Sequence, residues 1–134
     1  MPDITKHDLT KRTKEFALRV INLTNALPGS SAGSVLGKQL LRAATSVGAN
    51  YRAALRARSK RDFANKIGVV LEESDESCYW MELIVEANIL PEARVSELLR
   101  EANELTAIFA ATHKTAKASI QNKPTRSETP NLKS

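Results

Sequence analysis

Apolar residues recur along this chain at alternating steps of three and four, and the pattern appears four times. Steps of that size keep one face of an α-helix apolar, so each run predicts an amphipathic helix. In the first, Leu9, Phe16, Val20, Leu23 and Leu27 keep a seven-residue rhythm that Pro28 and Gly29 stop. Ser30 or Ser31 can cap the second, where Leu36, Leu40, Ala43, Val47, Tyr51 and Ala54 share a face. "SKRD" resembles a capping box, with Ser59 as cap and Asp62 three residues on. The third run is Phe63, Ile67, Val70, Ser74, Ser77, Met81, Ile84 and Asn88. "LPE", from Leu90 to Glu92, puts proline and glutamate at a helix start. Val95, Leu98, Ala102, Leu105, Phe109 and Thr112 then repeat the pattern.

The predicted helices span about 5–27, 32–58, 60–88 and 91–118. Matched lengths and short connections point to an all-α, antiparallel up-down-up-down four-helix bundle in one domain, residues 1–118. From Ser119 the chain turns to Ser, Thr, Asn, Lys and Pro, which predicts a disordered basic tail over 119–134. Aromatics are only 4% of the chain, so the core must rest on Leu, Ile, Val and Ala. Gly48 interrupts a helix at a cost of roughly 1 kcal/mol against alanine. With Ala44 it forms a notch of small residues that would let another helix come close; the alternative is that it is merely tolerated.

Charge adds what periodicity does not contain. The net charge is +5, but residues 16–61 hold eight bases and no acid, whereas 62–104 hold eleven acids and three bases. Such segregation bears on association rather than on fold. Opposite the core face of the second helix lies a row of Lys38, Arg42, Thr45, Ala49, Arg52 and Arg56, extended at the corner by Arg58, Lys60 and Arg61. These seven cations could track phosphates, giving salt-dependent affinity with little sequence preference. Lys114, Lys117, Lys123 and Arg126 could add to it. No aromatic interleaves the row except the core-facing Tyr51, so stacking on single-stranded bases is not indicated.

The third helix has an outer face of Glu72, Glu76, Tyr79 and Leu83, flanked by Val69, Trp80 and Ala87. Clustered exposed apolar groups suggest a self-association surface; the alternative is a bundle splayed enough to bury Trp80 within the monomer. The two charged stripes are complementary. They could join neighbouring copies into a ring, or pair between adjacent helices of one subunit.

Catalytic chemistry finds little support. "GSVLGK", Gly33 to Lys38, has one residue too few between its glycines for a phosphate loop, then Gln39 where Ser or Thr is needed. Glu72, Glu73 and Glu76 suggest a di-iron bundle, but His7 and His113 stand in no Glu-x-x-His spacing. Cys78 lies near the core stripe as an inert thiol, and a lone cysteine fits a reducing compartment. No metal or cofactor signature is present. No apolar run reaches the ~18 residues of a membrane span. The N-terminus lacks a signal-peptide core, so a cytoplasmic, non-membrane protein is expected.

"LGKQLLRAATSVGANYRAA", the "SKRDF" turn and "FANKIGVVLEESDESCYWMELI" resemble the four-helix-bundle proteins of bacterial 23S ribosomal RNA intervening sequences. The accessory variability proteins of diversity-generating retroelements are relatives of that family. The likeness covers roughly residues 10 to 115, and "TKEFALRVINLTNALP" is similar to the family's first helix. It implies a homopentameric ring with no established enzymatic activity. Because retroelement relatives bind nucleic acid and a reverse transcriptase, it implies those partners as well. The matching positions are Arg42, Arg52 and Arg56, with "YW" and the acidic stretch structural or at an interface. Two functions follow: a non-enzymatic ring that binds RNA or DNA through its basic surface, or an adaptor whose stripes serve only assembly and protein contacts.

Overall fold

The computed structural model describes residues 6–121. The helices α1 (Lys6–Asn25), α2 (Ser31–Ala54), α3 (Lys60–Glu86) and α4 (Glu92–Gln121) form an all-α four-helix bundle, with no strand among the described residues. Each consecutive pair packs side by side, and α4 closes the circle against α1, the least extensive of the four contacts. The diagonal helices meet only through long side chains, as where the rings of Tyr51 on α2 and Phe109 on α4 lie 5.5 Å apart.

The apolar stripes form the core. Phe16, Val20, Leu40, Val47, Ile67, Met81, Ile84, Val95, Leu105 and Phe109 are almost wholly removed from water. Thr13 fills the seven-residue gap between Leu9 and Phe16, and is buried because its hydroxyl donates to the Leu9 carbonyl at 2.8 Å. Ser74 and Ser77 lie in the α3 stripe and are also fully buried. The Ser77 hydroxyl donates to the Glu73 carbonyl, and that of Ser74 lies 2.7 Å from the Thr106 hydroxyl on α4. Each hydroxyl thus has a partner, which makes its burial tolerable.

Caps and turns decide the boundaries. The Ser30 hydroxyl accepts from Gly33 N–H at 3.1 Å. The Ser59 hydroxyl accepts from Asp62 N–H, and the Asp62 carboxylate reaches back to Arg58 N–H, one residue before the cap. The expected stretch 32–58 ends early, at Ala54, because Arg56 and Ala57 bond back only three residues, to Ala53 and Ala54. Arg56 therefore belongs to the corner, not to the α2 face.

Asn88 does not continue the α3 stripe. It is exposed, with φ of 60°, and ends the helix through bonds from its own N–H to Val85 and from Ile89 N–H to Ile84. That paired arrangement satisfies the last carbonyls of α3. Pro91 immediately precedes α4 instead of opening it. Residues 119–121 are helical, and the remainder of the expected tail lies outside the described residues.

Gly48 has the packing role that its small neighbours suggested. A Cβ there would lie 3.3 Å from the Thr13 hydroxyl and 3.5 Å from the Thr13 backbone. Gly48→Ala should leave stability nearly unchanged, since about 1 kcal/mol of helix propensity offsets a small shift of Thr13. Gly48→Leu should force α1 away and cost about 1–3 kcal/mol in chemical denaturation. Equal stability of the two variants would refute the close contact.

Candidate nucleic-acid interface

The basic row does not behave as one unit. Arg42 faces α3, where one nitrogen lies 3.2 Å from both Glu73 carboxylate oxygens and the other 2.7 Å from Glu76. Glu76 also accepts from the Trp80 indole at 3.1 Å. The Arg42 hydrogen bond, helped by the indole, holds the Glu76 carboxyl below the usual carboxylate range. For Arg42 the arrangement inside one subunit therefore holds: residues 31 and 34 positions apart become partners.

The remaining cations are different. Lys38, Arg52, Arg56, Lys60 and Arg61 are exposed, and none forms an ion pair among the described residues. Arg58 is exposed beside Asp62, whose carboxylate binds Lys66 at 2.6 Å and accepts from the Arg58 backbone. Those two hydrogen bonds, that of Lys66 first, hold the Asp62 carboxyl below its ordinary range. The one acid of the corner is thus already engaged.

Antiparallel packing concentrates this charge. It brings the C-terminal end of α2, the N-terminal end of α3 and the C-terminal part of α4 to one end of the bundle. Lys114 and Lys117 are exposed on that part of α4, while Lys123 and Arg126 lie outside the described residues. Apart from Asp62 in its first turn, the acids of α3 begin at Glu72, and those of α4 end at Glu104. One end of the molecule is therefore cationic, and its middle is laced with ion pairs.

Only part of the outer face of α3 stays open. Glu72 is exposed, as are Tyr79 at 53% and Val69 at 39%, but Trp80 and Leu83 are half-buried. Trp80 packs on the core and lies edge-on to Tyr79 at 5.1 Å. Two features escaped the sequence reading. Arg12 donates to both carboxylate oxygens of Glu101, at 2.7 and 3.1 Å, and to Glu104 at 2.7 Å, which clasps α1 to α4. A groove also opens between the α2–α3 corner and the end of α4. Neither carries a local signal, because each joins segments distant in the chain.

The other chemical candidates have structural surroundings. Gly33 to Lys38 lies inside α2. Burial pushes the Cys78 thiol up, and its sulfur lies 3.6 Å from the Thr106 hydroxyl. His113 packs its ring against Gly68. No cluster of three metal-ligating side chains occurs among the described residues, and no described helix is long and apolar enough to cross a membrane.

Fold and surface together define a helical bundle whose distinctive feature is segregated charge. The chain belongs to the 23S rRNA-intervening sequence protein family, whose pattern matches residues 5–111. It is similar to a crystal structure of a protein of unknown function from the S23 ribosomal protein family of Bacteroides thetaiotaomicron. The two are 32% identical, the match covers 79% of this chain and 98% of the other, and the TM-score is 0.74. No curated protein matches the chain. Neither description names a catalytic activity.

The lowered Glu76 pKa carries a pH dependence. A carboxyl depressed on folding adds stability above its unfolded pKa, and that stability is lost as pH falls through the folded value. Thermal unfolding between pH 7 and about pH 3 should show a shallower acid decline for Arg42→Met than for the parent. Parallel declines would refute the pairing.

Proposed function

We propose that the chain is a non-enzymatic bundle that binds nucleic acid, largely without sequence preference, through the cationic end of the molecule. The observation that carries this reading is that Arg52, Arg56, Lys60 and Arg61 are exposed and form no ion pair among the described residues, while Arg42 and Arg12 are satisfied within the chain. Unpaired cations clustered at one end gain most from phosphates, whose bound counterions they release. Arg58 extends that cluster, Lys38 is a distant addition to it, and Arg42 serves chiefly to join α2 to α3. The family's description, which refers to 23S rRNA intervening sequences, supports a nucleic-acid setting. Resemblance to retroelement accessory proteins adds a reverse transcriptase as a candidate partner.

Filter binding of RNA and DNA at low and high salt tests the reading. Retention should fall steeply with salt. Arg52→Glu with Arg56→Glu should reduce the logarithmic salt slope by roughly 2, about 0.9 for each lost phosphate contact. Absence of salt-sensitive retention for either nucleic acid would sink the proposal.

A second reading, self-association, is favoured by the exposed Tyr79 and Val69 beside Glu72, with Trp80 and Leu83 at the edge of the patch. A ring of five is the assembly that the family resemblance implies. Tyr79→Arg should lower the mass measured by light scattering, and an unchanged mass would exclude this surface as the interface. Loss of the oligomer on charge reversal at Arg52 and Arg56 would favour the adaptor reading instead.

A further inference from the structure

The groove at the cationic end takes no part in the charge pairing. It encloses about 690 Å³ between the α2–α3 corner and the last turns of α4. Leu55 and Phe63 line it from the corner, and Ala111, Thr115 and Ala116 from α4. Leu55 and Phe63 pack against the core yet remain half-buried, so part of each borders the open space. Arg58 and Lys60 are also lining residues, and no acidic side chain lines it among the described residues.

We propose that this groove receives an unpaired nucleobase, so that the chain binds single-stranded nucleic acid in preference to duplex. The inference rests on the nucleic-acid reading above and narrows it. A single strand presents a phosphate and a planar, largely apolar ring in every nucleotide. The corner presents the complement, cations directly beside an apolar floor that includes an aromatic ring. A duplex keeps its bases stacked, so it can use the cations but not the floor. Phe63 supplies the ring absent from the basic row, because the tight corner brings it beside Arg58 and Lys60 instead of leaving it wholly in the core. The alternative occupant, an acidic amphipathic helix, fits less well. The floor from Ala111 to Ser119 runs about 12 Å along α4, which suits one or two bases but is short for the spaced anchors of a docking helix.

Fluorescence anisotropy with three labelled probes tests this: a single-stranded RNA of about 20 nucleotides, a duplex of the same length, and an abasic single strand. The single strand should bind about tenfold more tightly than the abasic strand, the gain expected from one stacked base. Thr115→Leu intrudes on the groove, keeps every cation and offers no ring for stacking. It should reduce single-strand affinity to the abasic level and leave the duplex and abasic probes unchanged. Ala111→Leu, at another exposed lining position, should act in the same way, and circular dichroism checks that both variants fold. Equal binding of the single and abasic strands, unaffected by either substitution, would overturn the groove assignment while leaving the nucleic-acid reading standing. Failure of all three probes to bind in a salt-dependent manner would remove both. Binding of an acidic helical peptide that Thr115→Leu abolishes, with oligonucleotides unaffected, would reassign the groove to a protein partner.

Discussion

The bundle depends on four stripes of side chains that must all be hidden at once. A helix with one apolar face gains little in water alone, because most helical stability comes from packing that face. Here α3 lies between α2 and α4, and its stripe from Ile67 to Ile84 is removed from solvent by both neighbours. Buried serines in that stripe are accommodated because Ser77 bonds to its own helix and Ser74 to Thr106. α1 comes close to α2 where Gly48 has no side chain to hold it off. Its contact with α4 is smaller, and the Arg12 clasp on Glu101 and Glu104 closes the circle there.

Charge follows from the same packing. An acid-free segment followed by an acid-rich one places opposite signs on neighbouring antiparallel helices. Near mid-bundle the two meet, and Arg42 is neutralised by Glu73 and Glu76. At the corner they do not meet, because α3 contributes only Asp62 before Glu72 and Asp62 is already bound to Lys66. The cationic end is the remainder left when the chain's own acids run out. Surface ion pairs of this kind contribute little to stability, typically below about 1 kcal/mol, so their main effect is to decide which cations are left for a ligand.

The fold was largely legible from local spacing. Ser30, Ser59 and the Leu90–Pro91–Glu92 break mark helix limits because capping and proline effects act within a few residues. The exceptions arose where geometry beyond the spacing intervened. Asn88 fits the three-four rhythm but adopts a left-handed conformation to end α3, and α2 tightens after Ala54, which moves Arg56 off its face. Spacing places Trp80 beside the outer patch of α3, yet its indole reaches Glu76 and its body packs on the core.

By itself, the sequence determined the four helices, the residues of their buried faces and the segregation of charge, because each is written in separations of three, four and seven residues. Only the tertiary structure decided which cations are engaged and which are free. Arg42 and Arg52 stand in the same row along α2, but the antiparallel crossing carries only Arg42 to two glutamates. It also decided that Phe63, one of the core stripe, would share a groove with Arg58 and Lys60. Both outcomes depend on how whole helices are rotated and offset against one another, which no local spacing encodes.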